Sequence, residues 1–214
     1  MTRGWAILLL GPTGSGKTPL GEHFERVGIP TRRSVHFDFG ACLRAVAEGD
    51  ACGLSDADVA AVRTAIAERA LLRDDQFPIA AQLLHHFIAE RDVAPHDLVI
   101  LNGLPRHAGQ ATAVAEILDV RHVVVLDCDA ETVAARIAGD TGGDRAGRSD
   151  DAPEDVAAKL ATYTERTEPL ILHYAKAGTP IHRVRVGASM SAADVWDELL
   201  PRLQQPDLCG RCGR

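Results

Sequence analysis

Aromatic side chains make up 4% of this 214-residue chain. A core of stacked rings is therefore excluded, and aliphatic packing has to carry the fold. Lysine is nearly absent: Lys17, Lys159 and Lys176 are the only three. The remaining positive charge is arginine, whose planar fork suits phosphate, although a biased base composition gives the same excess. Positive charge is not in surplus either, since the formal net charge is -7. That excludes broad electrostatic binding to nucleic acid or to an anionic membrane. No apolar run nears the ~20 residues a membrane helix needs. Trp5–Leu10 ends at a glycine, and no secretory or membrane segment is expected. The five cysteines stand at 42, 52, 128, 209 and 212. An odd, scattered set is no disulfide framework, and a reduced, cytoplasmic protein is expected. Cys209 and Cys212 form a single C-x-x-C in the tail 204–214. One such pair is half a zinc site, and the segment reads as a frayed end.

Apolar residues, at 46%, are enough to bury one substantial domain. Strand-like apolar runs recur at Trp5–Leu10, Leu98–Leu101, His122–Leu126 and Ile181–Val186. Between them lie segments of helical periodicity: Leu20–Val27, Val59–Leu72, Ile79–Ile88, Ala111–Leu118, Thr132–Ile137, Val156–Ala177 and Ala192–Leu203. Strands that are apolar throughout and alternate with helices predict an α/β fold: a parallel sheet covered on both faces. Right-handed crossovers then bring the strand C-termini to one edge, where ligands bind. Residues 139–151, "GDTGGDRAGRSDD", are too polar to pack and read as a mobile loop.

The strongest signal is "GPTGSGKT", which follows the first strand and opens a helix. Gly11, Gly16, Lys17 and Thr18 complete a P-loop pattern in its proper context. Gly14, Ser15 and Gly16 can turn backbone N–H groups inward with little side chain in the way. The helix N-terminus adds its positive end. Lys17 reaches the outer phosphates, and the Thr18 hydroxyl suits Mg²⁺, an oxygen-seeking ion. The chain is expected to bind ATP with Mg²⁺. Pro19 fits the first helical turn, where its missing N–H has no intrahelical partner.

A second stretch, "LVILNGLPRH" at 98–107, ends a buried strand in Asn102, Gly103, Pro105 and Arg106. Asn-Gly followed by Pro is by itself only a turn signal. Taken together with "GPTGSGKT", "FGACLRAVAEG", "NGLPRHAGQ", "RAGRSDD" and "KLATYTERTEPLILHYAKAG", the chain resembles the adenylate kinase and nucleoside monophosphate kinase family from about residue 5 to 203. The resemblance implies a P-loop NTPase fold, three-layer α/β/α, with a parallel, five-stranded sheet. It implies a core of 1–39 and 96–203, a helical acceptor-binding insertion at 40–95, and a short lid at 139–151. Acceptor contacts would come from Phe39, Gly40, Arg44, Gly103, Arg106 and Gln110. Arg145 and Arg148 would close with the lid, Arg136 would stack near the donor adenine, and Lys159 would take a catalytic cation's place. Asp150 and Asp151 complete the lid motif. The residue types suit phosphoryl transfer, which gathers negative charge in one cleft and needs positioned cations rather than a side-chain nucleophile.

Several positions depart from the family pattern. Asn102 stands where the family has an aspartate that holds Mg²⁺ through water, so Thr18 and Asn102 are the metal candidates. Asp140 and Lys159 stand where arginines are usual, and Phe39 and Ala41 replace Thr and Asp near the acceptor base. Phe39 is suited equally to stacking on a base and to filling core. His36 and Asp38 share one face of a short strand. A metal or catalytic pair is open to them, and so is the commoner use, strand-end hydrogen bonding. Glu22, Glu25 and Arg26 read as the solvated face of the first helix. The leading expectation is transfer from ATP to a nucleoside monophosphate by a monomer that binds small nucleotides. The alternatives are a kinase of a non-nucleotide acceptor and a catalytically weak nucleotide sensor.

Overall fold

The computed structural model describes residues 3–30, 32–68, 70, 72–144 and 153–203. Its frame is a five-stranded sheet with strand order β2-β3-β1-β4-β5. The strands are β1 (Gly4–Leu10), β2 (Ser34–Asp38), β3 (Leu98–Asn102), β4 (Leu118–Asp127) and β5 (Ile181–Arg185), and every pairing is parallel.

Side-chain parity along β1 divides the core in two. Ala6, Leu8 and Leu10 share one cluster with Phe37, Val99, Leu101 and Val123. Ile7 and Leu9 share the other with Ile100, Val124 and Val184. The second face is closed by α1 (Lys17–Val27), through Leu20 and Phe24, together with the C-terminal helix Ala192–Leu203. The first is closed by α2 (Phe39–Glu48), α3 (Asp56–Ala67), α4 (Phe77–Glu90), α5 (Ala108–Ile117) and the helix Pro169–Lys176. The remaining helices are α6 (Ala130–Ala138) and α7 (Pro153–Thr162), so Pro169–Lys176 is α8 and Ala192–Leu203 is α9. This is a three-layer α/β/α P-loop fold. α2, α3, a short 3₁₀ turn at Asp74–Gln76 and α4 fill the chain between β2 and β3.

Three sequence expectations are corrected. β4 begins at Leu118, not His122, because Leu118–Val120 already pair with Gly4–Ala6. A register shift after Ala6 absorbs Arg121, and the charged pair Arg121 and Asp119 masks the strand in the sequence. The long helix over 156–177 is broken by a π-helical turn at Tyr163–Thr167, just before Pro169, which has no N–H to continue the ladder. Glu25 is not simply solvated. Its Oε2 accepts the backbone N–H of His36 at 3.1 Å, and its Oε1 meets Arg91. β2 is an edge strand, and Glu25 satisfies a donor the sheet leaves open.

Gly21 lets α1 lie close on β2. A Cβ at this position would stand 2.2 Å from His36 Nε2.

Candidate active site

The phosphate loop forms between β1 and α1 because its glycines take conformations other residues avoid. Gly14 has φ +76° and Gly16 φ +94°, both left-handed. A Cβ on Gly11 would stand 2.7 Å from Ser15 Oγ and 2.9 Å from the Leu126 carbonyl oxygen. Ser15 is 1% exposed, and its hydroxyl is buried with no hydrogen-bond partner. The Lys17 ammonium folds back on the loop, donating to the carbonyls of Gly11 at 2.8 Å and Pro12 at 2.7 Å. An orphaned hydroxyl, left-handed glycines and a cation resting on weak neutral acceptors fit a phosphate chain.

The ends of β2 and β3 complete the site. Asp38 and Asn102 are register partners at the C-terminal ends of neighbouring strands. The Thr18 hydroxyl donates to Asp38 Oδ2 at 2.7 Å. Asn102 Nδ2 donates to the same oxygen at 2.9 Å and to Thr18 Oγ1 at 3.0 Å. Asp38 Oδ1 caps α2, accepting the Ala41 N–H at 2.9 Å. Burial pushes the Asp38 carboxyl upward. The Thr18 hydroxyl, the Ala41 N–H and the charges of His36 and Arg44 outweigh that and hold it below the ordinary carboxylate value. The group is a carboxylate at neutral pH.

Beyond β3 the chain turns at Gly103, φ +80°, into a cis Leu104–Pro105 peptide. Arg106 is fixed from both sides. Its Nε donates to the Gly103 carbonyl at 2.8 Å, and its N–H donates to Gln110 Oε1 at 2.8 Å. Its guanidinium carbon lies 5.9 Å from the centroid of the Phe39 ring. Burial lowers the Arg106 pKa and the charge of Asp38 opposes this, so arginine's high intrinsic value leaves it charged. Phe39 is 2% exposed and packs on Phe37. Of the two uses open to Phe39, this packing is the core-filling one, with the ring set beneath Arg106. Gly40 is the second residue of α2, and Arg44 Nη1 would stand 3.4 Å from a Cβ placed on it. Thr18, Asp38, Asn102 and Arg106 therefore converge at the mouth of the loop, with Gly40 and Arg44 on the adjoining first turns of α2.

A family model described as an AAA domain matches residues 10–157. The adenylate kinase of Xanthomonas oryzae pv. oryzae (strain MAFF 311018) is 35% identical over 209 residues, covering 93% of this chain and 97% of that protein. The adenylate kinase of Xanthomonas campestris pv. campestris (strain 8004) is 34% identical over 206 residues, covering 93% and 97%. That of Stenotrophomonas maltophilia (strain R551-3) is 34% identical over 180 residues, covering 81% and 87%. The chain belongs to the adenylate kinase family. That family is one of nucleotide kinases, and the phosphate loop described above is its nucleotide-binding element.

Arg136, set against the donor adenine by family resemblance, is 5% exposed and holds backbone. Its Nε donates to Gly14 O at 3.1 Å, and its Nη1 donates to Gly187 O and Met190 O, both at 2.8 Å. A cavity of ≈ 260 Å³ opens beside it, lined by Ser15, Gly16, Thr141 and Ala192 among others. Lys159 lies half-buried in the last turn of α7. Arg145, Arg148, Asp150 and Asp151 lie outside the described residues, as do most of the expected lid and the Cys209/Cys212 tail. Among the described residues no helix is long and apolar enough to cross a membrane. Sequence reasoning leaves Asp38 open to a metal or catalytic pairing with His36 or to strand-end hydrogen bonding and sets Asn102 among the metal candidates, and the oxygen facing Thr18 belongs to Asp38. The threonine after Lys17 and the aspartate at the end of a strand are visible separately, but only the strand register joins them.

Proposed function

We propose that the chain transfers the terminal phosphoryl group of ATP to a nucleoside monophosphate. The observation carrying this reading is the bonded cluster of Thr18, Asp38 and Asn102, which ties the phosphate loop to the strand ends that lead into Arg44 and Arg106. In this reading donor-side and acceptor-side cations face one cleft, the geometry that in-line transfer requires. Gly11, Gly14, Ser15 and Gly16 present the cradle, and Lys17 exchanges its carbonyl partners for phosphate oxygens. Thr18 and its carboxylate neighbour are an oxygen set that fits Mg²⁺, which when bound offsets charge on the outer phosphates. Arg44 and Arg106 clamp the acceptor phosphate, with Gly40 and Gly103 allowing close approach and Gln110 bracing Arg106. Arg145, Arg148 and Lys159 are the further cations this reading assigns to the transferring phosphoryl group. Residues 40–95 form the acceptor-binding insertion on a core of 1–39 and 96–203. No protein partner is required, and the monomer is the working unit.

A coupled assay with ATP and each of AMP, CMP, UMP, GMP and dTMP tests this. Transfer to at least one is expected, and transfer to none overturns the reading. A second reading, a phosphorylated non-nucleotide acceptor, is favoured by one observation. Phe39 is buried and the Gln110 carbonyl is spent on Arg106, so two side chains nearest the expected acceptor base serve the protein itself. ATP turnover with only a non-nucleotide acceptor in a metabolite screen would establish it.

A further inference from the structure

Asn102 looks like a loss. A neutral amide stands at the end of β3, where the resemblance implies an aspartate that steadies Mg²⁺. The structure shows a carboxylate one strand away. Asp38 pairs with Asn102 in the parallel register, and its Oδ2 lies 2.7 Å from Thr18 Oγ1. Its two oxygens divide the work: Oδ1 caps α2 at Ala41, and Oδ2 faces the phosphate loop. A hydroxyl that donates its hydrogen to a carboxylate keeps its oxygen lone pairs for a cation, and the carboxylate orients it. Thr18 is held in that way by Asp38, and because one of its lone pairs also accepts from Asn102 Nδ2 at 3.0 Å, one remains for a cation. The amide of Asn102 must turn its nitrogen to Asp38, because a carboxylate accepts and cannot donate. Its own oxygen therefore does not face Thr18. An aspartate at 102 beside Asp38 would bring two carboxylates to hydrogen-bond distance, where one is forced to hold a proton.

We propose that Asp38, at the end of β2, has replaced residue 102 as the carboxylate that positions Thr18 and the nucleotide's Mg²⁺, with Asn102 as its neutral donor. The inference rests on the ATP-binding reading above. Among the described residues no group of three or more His, Cys, Asp and Glu could hold a metal. One hydroxyl oriented by a carboxylate, completed by phosphate oxygens and water, suits Mg²⁺. Asp38 is a positioning residue in this role, acting through Thr18.

The test is binding of a non-hydrolysable ATP analogue by calorimetry, with and without Mg²⁺, and Mn²⁺ binding to the analogue complex by electron paramagnetic resonance. Asp38→Asn keeps an oxygen for the Ala41 N–H, so α2 remains capped. It should weaken Mg²⁺-dependent analogue affinity and Mn²⁺ affinity at least tenfold. Mg²⁺-free affinity should hold within about twofold or tighten, since a negative charge near the phosphates is gone. The exchange variant carrying Asp38→Asn and Asn102→Asp, which returns the carboxylate to β3, should restore Mn²⁺ affinity to within a few-fold. An unchanged Mn²⁺ affinity in Asp38→Asn, or a loss the exchange variant does not repair, overturns the proposal and leaves Asp38 as a helix cap. No analogue binding by the parent protein overturns the nucleotide reading itself and this inference with it.

Discussion

Replacing Arg136 by methionine separates two roles that coincide at this residue. Family resemblance sets it against the donor adenine, while the structure makes it a staple between the phosphate loop and the turn before α9. Its guanidinium bonds the carbonyls of Gly14, Gly187 and Met190, and the residue is 5% exposed. Methionine approximates the length and supplies no donor. Each bond from a charged donor contributes roughly 1.5–3 kcal/mol, and a carbonyl left without one costs about 1–3 kcal/mol when buried. Removing a buried cation recovers its desolvation cost, which offsets a large part of that sum. A net loss of about 3 kcal/mol follows from the three lost bonds less that recovery. At about 2–4 °C per kcal/mol for a chain of this size, the melting temperature without nucleotide should fall by ~6–12 °C. Arg136→Lys keeps the charge but cannot reach all three carbonyls, and should fall between the two. Loosening Gly14 also displaces the cradle, so KM for ATP should rise roughly tenfold in Arg136→Met. Differential scanning calorimetry of the nucleotide-free proteins decides between the roles. A melting temperature within about 2 °C of the parent, beside a raised KM, would refute the staple and leave a nucleotide contact only.

Gly21→Ala improves helix propensity by up to ~1 kcal/mol, yet its Cβ would stand 2.2 Å from His36 Nε2. A net loss of about 1–2 kcal/mol is expected in urea unfolding, and adding His36→Ala should reverse it. A gain in stability from Gly21→Ala alone would refute the close packing. Lys17→Met removes the phosphate cation, and with it bonds to two loop carbonyls. Turnover should fall at least ~100-fold in the coupled assay while the melting temperature stays near the parent's, and retained turnover would refute the loop's role. His36 and His182 are both held below the ordinary histidine value of 6.5, chiefly by burial. The unfolded chain therefore takes up protons first as pH falls below 6.5. Stability is full above that value and declines beneath it, so the urea midpoint should be lower at about pH 5.5 than at about pH 7.5. Asp38, held below its ordinary 3.8, does not titrate in that window. A midpoint that is flat or higher at the lower pH would contradict the assignment.

What can be read without a structure is whatever is local. The phosphate loop is contiguous, and each residue type in it answers a need of the backbone a few atoms away. The alternation that splits β1 between two cores is local as well. The start of β4 is hidden because Asp119 and Arg121 interrupt the apolar run, and only pairing with Gly4–Ala6 shows that those residues are strand. Glu25 looks solvated because nothing near it in sequence says that an edge strand lies beside its helix. The same reason explains Asn102. Compared position by position, this residue is a missing carboxylate, and Asp38, 64 residues earlier, is an ordinary strand end. The register of β2 on β3 brings the two to one point. There the departures become interdependent. Two aspartates would repel, two asparagines would leave Thr18 without a charged acceptor, and one of each satisfies both hydrogen bonds with a single negative charge. Asn102 by itself therefore does not determine activity. Its effect is defined only together with Asp38, and Asn102→Asp alone should bring no large gain in turnover, because the charge it adds already stands one strand away.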